Sequence, residues 1–270
     1  MNPPLNATDG RFRHRGLAVT RLETFVDAAF AFSLTLLVIF FDSVPHSVDE
    51  LRAALRHVPT FVVCFVLLAL FWNSHNRWSR RFGLEDATST ILSLGFVLVM
   101  MIYVYPLRMV IGSGLAVITD GWVPFTISLN PSRALLDVQT MFIVYALGFA
   151  ALSCILWQLN QHALRCADAL QLDAGERFET ENEIGVQRIL TTSGGVSLLV
   201  SAALLAWFPP DSRLGGWLVG LPGWTYMLIG PAIGFYLAHR ARLRGSALVS
   251  SFPATANTIA HSADAVAPDR

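Results

Sequence analysis

One carboxylate sits where a carboxylate is costly. Residues 21–41 read RLETFVDAAFAFSLTLLVIFF, and after Glu23 the only charged side chain before Phe41 is Asp27. An ionisable group inside hydrocarbon is expensive, so it calls for a partner or a job. Candidate partners close a second apolar stretch, where Phe71-Trp72-Asn73-Ser74-His75-Asn76 precedes Arg77, Arg80 and Arg81. A carboxylate accepts hydrogen bonds from an indole N–H, an imidazole or an amide. Arg21, one or two helical turns before Asp27, is a further candidate. Two chemistries are open: these groups satisfy one another and lock two helices together, or Asp27 and His75 form a proton-responsive site. A second feature lies on the same stretch. Phe32, Thr35 and Ile39 fall at i, i+3 and i+7, one face of a helix. The surrounding residues are apolar too, so periodicity alone does not separate a pore-lining face from a buried or lipid-facing one.

The elements that must position these groups follow from length and composition. The chain has 270 residues, 54% hydrophobic and 14% charged, with mean hydropathy +0.52. Soluble domains carry about 25% charged residues, so the expected class is an all-α polytopic membrane protein. About twenty residues at ~1.5 Å each cover the ~30 Å hydrocarbon core. On that measure six transmembrane helices are predicted, near 22–41, 58–76, 89–111, 134–159, 189–208 and 216–238. The linker 42–57 is polar, and Ser47 followed by Asp49 and Glu50 predicts a short surface helix over 48–57. Residues 161–187 are charged and read as a helical extension beyond the membrane. The organisation expected is a polar cytoplasmic tail over 1–20, a six-helix unit over 21–240, and a disordered cytoplasmic tail over 241–270. The first twenty residues hold no apolar core of a cleavable leader, so none is expected there.

All nineteen basic residues are Arg, and their distribution sets orientation. With the N-terminus inside, the inner segments hold thirteen of them, at 11, 13, 15, 21, 77, 80, 81, 165, 177, 188, 240, 242 and 244. The outer segments hold four, Arg52, Arg56, Arg133 and Arg213. The positive-inside rule then predicts N-in/C-in. A formal net charge of zero leaves no footprint for nucleic acid. Cys64, Cys154 and Cys166 are scattered, with neither a disulfide framework nor metal-ligand spacing. The histidines outside the second span, His162 among them, read as solvated. No HExxH helix, phosphate loop or dinucleotide fingerprint occurs, so neither a metal nor a cofactor is expected.

Arg21-x-x-x-Phe25-Val26-Asp27, followed by the apolar run through Thr35-Leu36-Leu37, resembles the Arg-x-x-x-Phe-Ser-Asp signature of the transmembrane protein 175 family. These are lysosomal and endosomal potassium channels and their bacterial relatives. The 71–76 group resembles that family's aromatic-Trp-x-x-His pattern, and the likeness covers about 21–240. It implies a potassium-permeable leak channel in the cell membrane, a homotetramer whose first helices line the pore with hydrophobic constrictions and a Thr layer. By position it assigns Phe32 and Ile39 to constrictions and Thr35 to the Thr layer. Arg21, Asp27, Trp72 and His75 fall on the polar network that holds the pore helix. Val26 replaces the signature Ser, and Phe32 stands where a smaller aliphatic side chain is usual. The implied partners are potassium ions, the lipid bilayer and further copies of the chain. The competing function is a proton-coupled transporter using Asp27 and His75. An intramembrane enzyme is disfavoured, because one Asp and one His make a poor catalytic set.

Overall fold

The structure, a computed structural model, describes residues 8–9, 12–38, 46–210, 212 and 214–251. It is mostly helical: α1 (Arg21–Val38), α2 (Val48–Leu55), α3 (Val58–Phe82), α4 (Ala87–Ile118), α5 (Ala134–Arg165), α6 (Ala174–Trp207), α7 (Gly216–Val219), α8 (Leu221–Met227) and α9 (Ile229–Ser251). A small antiparallel ribbon of β1 (Thr8–Asp9) and β2 (Phe12–Arg13) precedes them. Four stretches are long and apolar enough to cross a bilayer: Val48–Phe82, Ala87–Ile118, Pro131–Arg165 and Ala174–Trp207.

Local chemistry sets the helix ends. Ser47 accepts from the Glu50 amide to start α2, as its position in the linker predicts. Asp86 does the same for α4 through Ser89, and Asp173 for α6 through Glu176. Gly83 ends α3 in the left-handed region, at φ 59°.

Three differences from the sequence expectation stand out. The stretch 216–238 is not one continuous helix: turns at Gly220 and Leu228 divide it. Pro222 opens α8, and its missing N–H cannot continue the ladder from α7. The charged stretch 161–187 turns over 166–173 before α6 begins. The N-terminal segment is folded from residue 12 onward, with Phe12 fully buried, whereas it reads in sequence as a polar tail.

The chain divides into two compact units, 1–229 and 230–270. Within the second, α9 runs to Ser251, into the stretch expected to be disordered, and Phe235 stacks on His239. In the first, α5 and α6 pack along their length, α4 lies against α5, and α1 and α3 lie against α4. Gly194 makes the α5–α6 approach possible. A Cβ there would lie 2.9 Å from the Ala150 Cβ. Tyr103 and Phe96 of α4, Leu68 and Trp78 of α3, and Leu152 and Leu156 of α5 form the core. The buried Trp78 indole donates to the Leu159 carbonyl at 2.9 Å, tying α3 to α5.

Candidate functional site: the first helix and its anchors

α1 begins on Thr20, whose Oγ1 accepts from the Glu23 amide at 3.0 Å. Glu23, Val26, Ser33 and Leu37 form its buried face, turned toward α3 and α4. Ser33 satisfies its hydroxyl by donating to the Ala29 carbonyl. The opposite face carries large apolar groups that the other described residues leave uncovered: Phe25, Phe32 and Val38 are about half exposed, at 52, 51 and 46%. Thr35 shares this face and donates to the Ala31 carbonyl at 3.0 Å. Ile39 lies outside the described residues. Val26, which replaces the signature Ser, is 2% exposed and packs as an apolar residue.

Trp72 clamps α1 to α3. Its Nε1 donates to Asp27 Oδ1 at 2.7 Å, and its ring stacks on Phe30, with centroids 5.4 Å apart. His75, one turn further along, is buried and turned elsewhere. Its Nε2 lies 3.0 Å from Ser93 Oγ on α4, and its ring stacks on Phe96. Asp27 and His75 therefore take different partners. Arg21 is exposed and makes no ion pair among the described residues. Glu23 is a residue that the sequence reading passed over. It lines a cavity of about 10 Å³ together with His75 and Ser93, room for no more than a single water. The Thr20-x-x-Glu23 spacing of a helix start was the available signal.

A second polar cluster ties the arginine-rich end of the bundle together. The Glu176 side chain is fully buried and accepts from Arg15 Nη2 at 2.7 Å and from the Arg13 amide at 2.9 Å. Its Oε2 also accepts from the Asp173 amide, completing a reciprocal cap of α6. Hydrogen bonding to Glu176, and its charge, raise the Arg13 guanidinium further above its ordinary value. The Arg15 and Gly16 amides both donate to the Arg80 carbonyl, and Arg81 lies over the Phe12 ring at 4.7 Å. Arg77 meets Glu183 at 3.3 Å, and Arg81 meets Glu179 at 3.7 Å, joining α3 to α6. Only the Asp173-x-x-Glu176 spacing hinted at this cluster.

A third group brings together residues that the sequence leaves scattered. Asp86, His162 and Cys166 converge where α4 starts and α5 ends. His162 is not simply solvated: its Nε2 lies 2.5 Å from Asp86 Oδ2. Burial opposes ionisation of Asp86, but hydrogen bonds from Ser89 and from His162 outweigh it and hold the carboxyl below its ordinary value.

The profile of the endosomal/lysosomal potassium channel TMEM175 matches residues 21–106. A protein of Marivirga tractuosa named "Potassium channel" is 28% identical over 193 residues, covering 70% of this chain and 77% of that protein. A solved structure of the potassium channel MtTMEM175, a threonine-to-alanine variant in complex with a nanobody–MBP fusion, superposes with a TM-score of 0.70. It is 25% identical and covers 88% of this chain and all of that one.

Over residues 21–106 the chain is similar to the TMEM175 family.

The TMEM175 profile spans α1, α2, α3 and the first part of α4, and so holds α1, the Trp72 that engages its Asp27, and the His75–Ser93 pair. The Glu176 cluster draws most of its groups, among them Glu176, Asp173, Arg13 and Arg15, from outside that region. Relatives named as channels point to a non-enzymatic role for this chain.

Proposed function

We propose that the chain is one subunit of a potassium-permeable leak channel, a homotetramer in the cell membrane whose four copies of α1 line the pore. The observation that carries this reading is the uncovered face of α1. Phe25, Phe32, Thr35 and Val38 point away from the chain's own core, while Glu23, Val26, Ser33 and Leu37 point into it. Backbone groups in lipid must be satisfied internally and one helix cannot enclose a water path, so a pore needs several copies. Cyclic symmetry brings the same face of each copy to one axis. On that axis Phe32 and Ile39 form hydrophobic constrictions and Thr35 a hydroxyl layer, and narrow apolar collars gate by dewetting. Of the polar group, Trp72 holds α1 through Asp27, while His75 ties α3 to α4 through Ser93. Six crossings over residues 21–240, with both termini inside, complete the proposed topology, and the excess of Arg on one set of segments supports it. The separate hydrogen bonds of Asp27 and His75 speak against a proton relay between them.

The test is potassium flux into liposomes containing the purified protein, with sodium as control. Passive potassium flux that follows its gradient supports the channel. Flux that requires a proton gradient favours the transporter, and a stable monomer in mild detergent removes the tetramer.

A further inference from the structure

We propose that Asp86, His162 and Cys166 form a binding site for a divalent transition metal of the Zn²⁺ type, pinning the start of α4 to the end of α5. This site lies apart from α1 and does not depend on the channel reading.

Three observations carry it. First, the donor set is mixed and mutually close. One carboxylate oxygen, one imidazole nitrogen and one sulfur all lie within 4.8 Å of one another. Bonds of about 2.0–2.3 Å in a tetrahedral site place ligand atoms roughly 3.5 Å apart. The observed separations from His162 Nε2, 2.5 Å to Asp86 and 4.0 Å to Cys166, bracket that value. Second, the frame is built. His162 stands in the last turn of α5 and Cys166, four residues on, is its C-cap, so the two lie on one side. Asp86 is held from the other helix, its Oδ1 accepting from the Ser89 amide at 2.8 Å as the cap of α4. That leaves Oδ2 aimed at His162. Third, a carboxylate oxygen and a sulfur converge on one ring nitrogen, and a cation at the centre, with the sulfur as thiolate, satisfies all three.

The chemistry balances. Cys166 binds as thiolate, so its proton leaves to solvent, and His162 binds neutral through Nε2. Carboxylate and thiolate then offset the two charges of the ion. The fourth position belongs to water, because the Asp86 side chain is 43% exposed and the group opens outward. Thiolate, imidazole and carboxylate together favour Zn²⁺ and Co²⁺ over Mg²⁺ or Ca²⁺, which take oxygen ligands. Cys154, on the same helix, already lies against Gln158, and Cys64 is fully buried, so neither competes for the ion.

The experiment is a Co²⁺ titration of the full chain in detergent, after chelator treatment under reducing conditions. A sulfur-to-metal charge-transfer band with intense visible bands, displaced by one equivalent of Zn²⁺, is expected. Cys166→Ser should abolish the charge-transfer band. His162→Gln and Asp86→Asn should weaken binding at least as much as the about 10–100-fold that loss of an outer partner costs. Asp86→Asn keeps the cap, which separates lost ligation from lost folding. On the unmodified chain, Zn²⁺ should protect Cys166 from alkylation and leave Cys154 unaffected. Equal Co²⁺ spectra for Cys166→Ser and the parent, or alkylation of Cys166 at the same rate with and without Zn²⁺, would overturn the site.

Discussion

Glu176 and Asp27 are both carboxylates that tie a helix to its neighbours, and they do so on different terms. Glu176 is enclosed, receives two guanidinium groups and two backbone amides, and caps its own helix. Asp27 has one hydrogen-bond partner among the described residues, the Trp72 indole, and stays exposed beside an apolar face. The first region is finished within a single chain: its charges are paired and its rings covered. The second is not. On α1, Phe25 and Phe32 stay half-exposed, with no cover from the described residues, as the proposed pore-lining face requires. Completeness at one end and incompleteness along α1 separate what the subunit does for its own stability from what it offers to its surroundings.

The sharpest way to break that contrast is at the finished end. Glu176→Ala leaves two arginines without their buried partner and removes the side-chain half of the reciprocal cap of α6, so stability should fall by about 3–5 kcal/mol. Thermal unfolding in detergent reads the loss, and limited proteolysis should cut the segment carrying Arg13 and Arg15 more readily. A midpoint equal to the parent's would show that the buried carboxylate does not hold this end.

Leu37→Ala probes the covered face of α1. Leu37 is 2% exposed, and its truncation should cost about 2 kcal/mol, toward the low end for Leu→Ala because α1 has room to shift. Trp72→Phe keeps the stacking on Phe30 and removes the hydrogen bond to Asp27. A loss of about 1 kcal/mol is expected, again by thermal unfolding, with tetramer yield by gel filtration as a second readout.

The smallest stability effect should come from Phe32→Ala, within about 0.5 kcal/mol, as for substitutions away from packed features. Its effect belongs to flux instead: potassium flux in liposomes should rise and discrimination against sodium should weaken. Greater destabilisation by Phe32→Ala than by Leu37→Ala would reverse the assignment of faces. Higher flux for Leu37→Ala with none for Phe32→Ala would do the same.

What could be read from the sequence divides along physical lines. Apolar runs of span length and local caps are encoded within a few residues, so α2 and the long apolar helices were legible, Ser47 to the residue. The approach of Trp72 to Asp27 follows from matching depth on adjacent antiparallel helices. The engagement of His75 with Ser93 does not, because the register between α3 and α4 depends on packing throughout the core. The break at Gly220 was hidden because apolar composition outvoted Pro222. The docking of Arg13 and Arg15 on Glu176 was hidden for another reason: partners more than 160 positions apart share no local pattern. The same holds for Asp86 with His162, 76 positions apart.

That long separation has a consequence for biosynthesis. Residue 176 is translated long after residues 13 and 15, so the N-terminal arginines meet their carboxylate only once four long helices have already left the ribosome. Throughout that interval they remain free, uncompensated cations. The insertion machinery reads such cations near the first hydrophobic segment when it chooses an orientation. The same side chains can therefore act twice, first as an address for α1 in the orientation proposed here, and later as a latch that closes over the completed bundle.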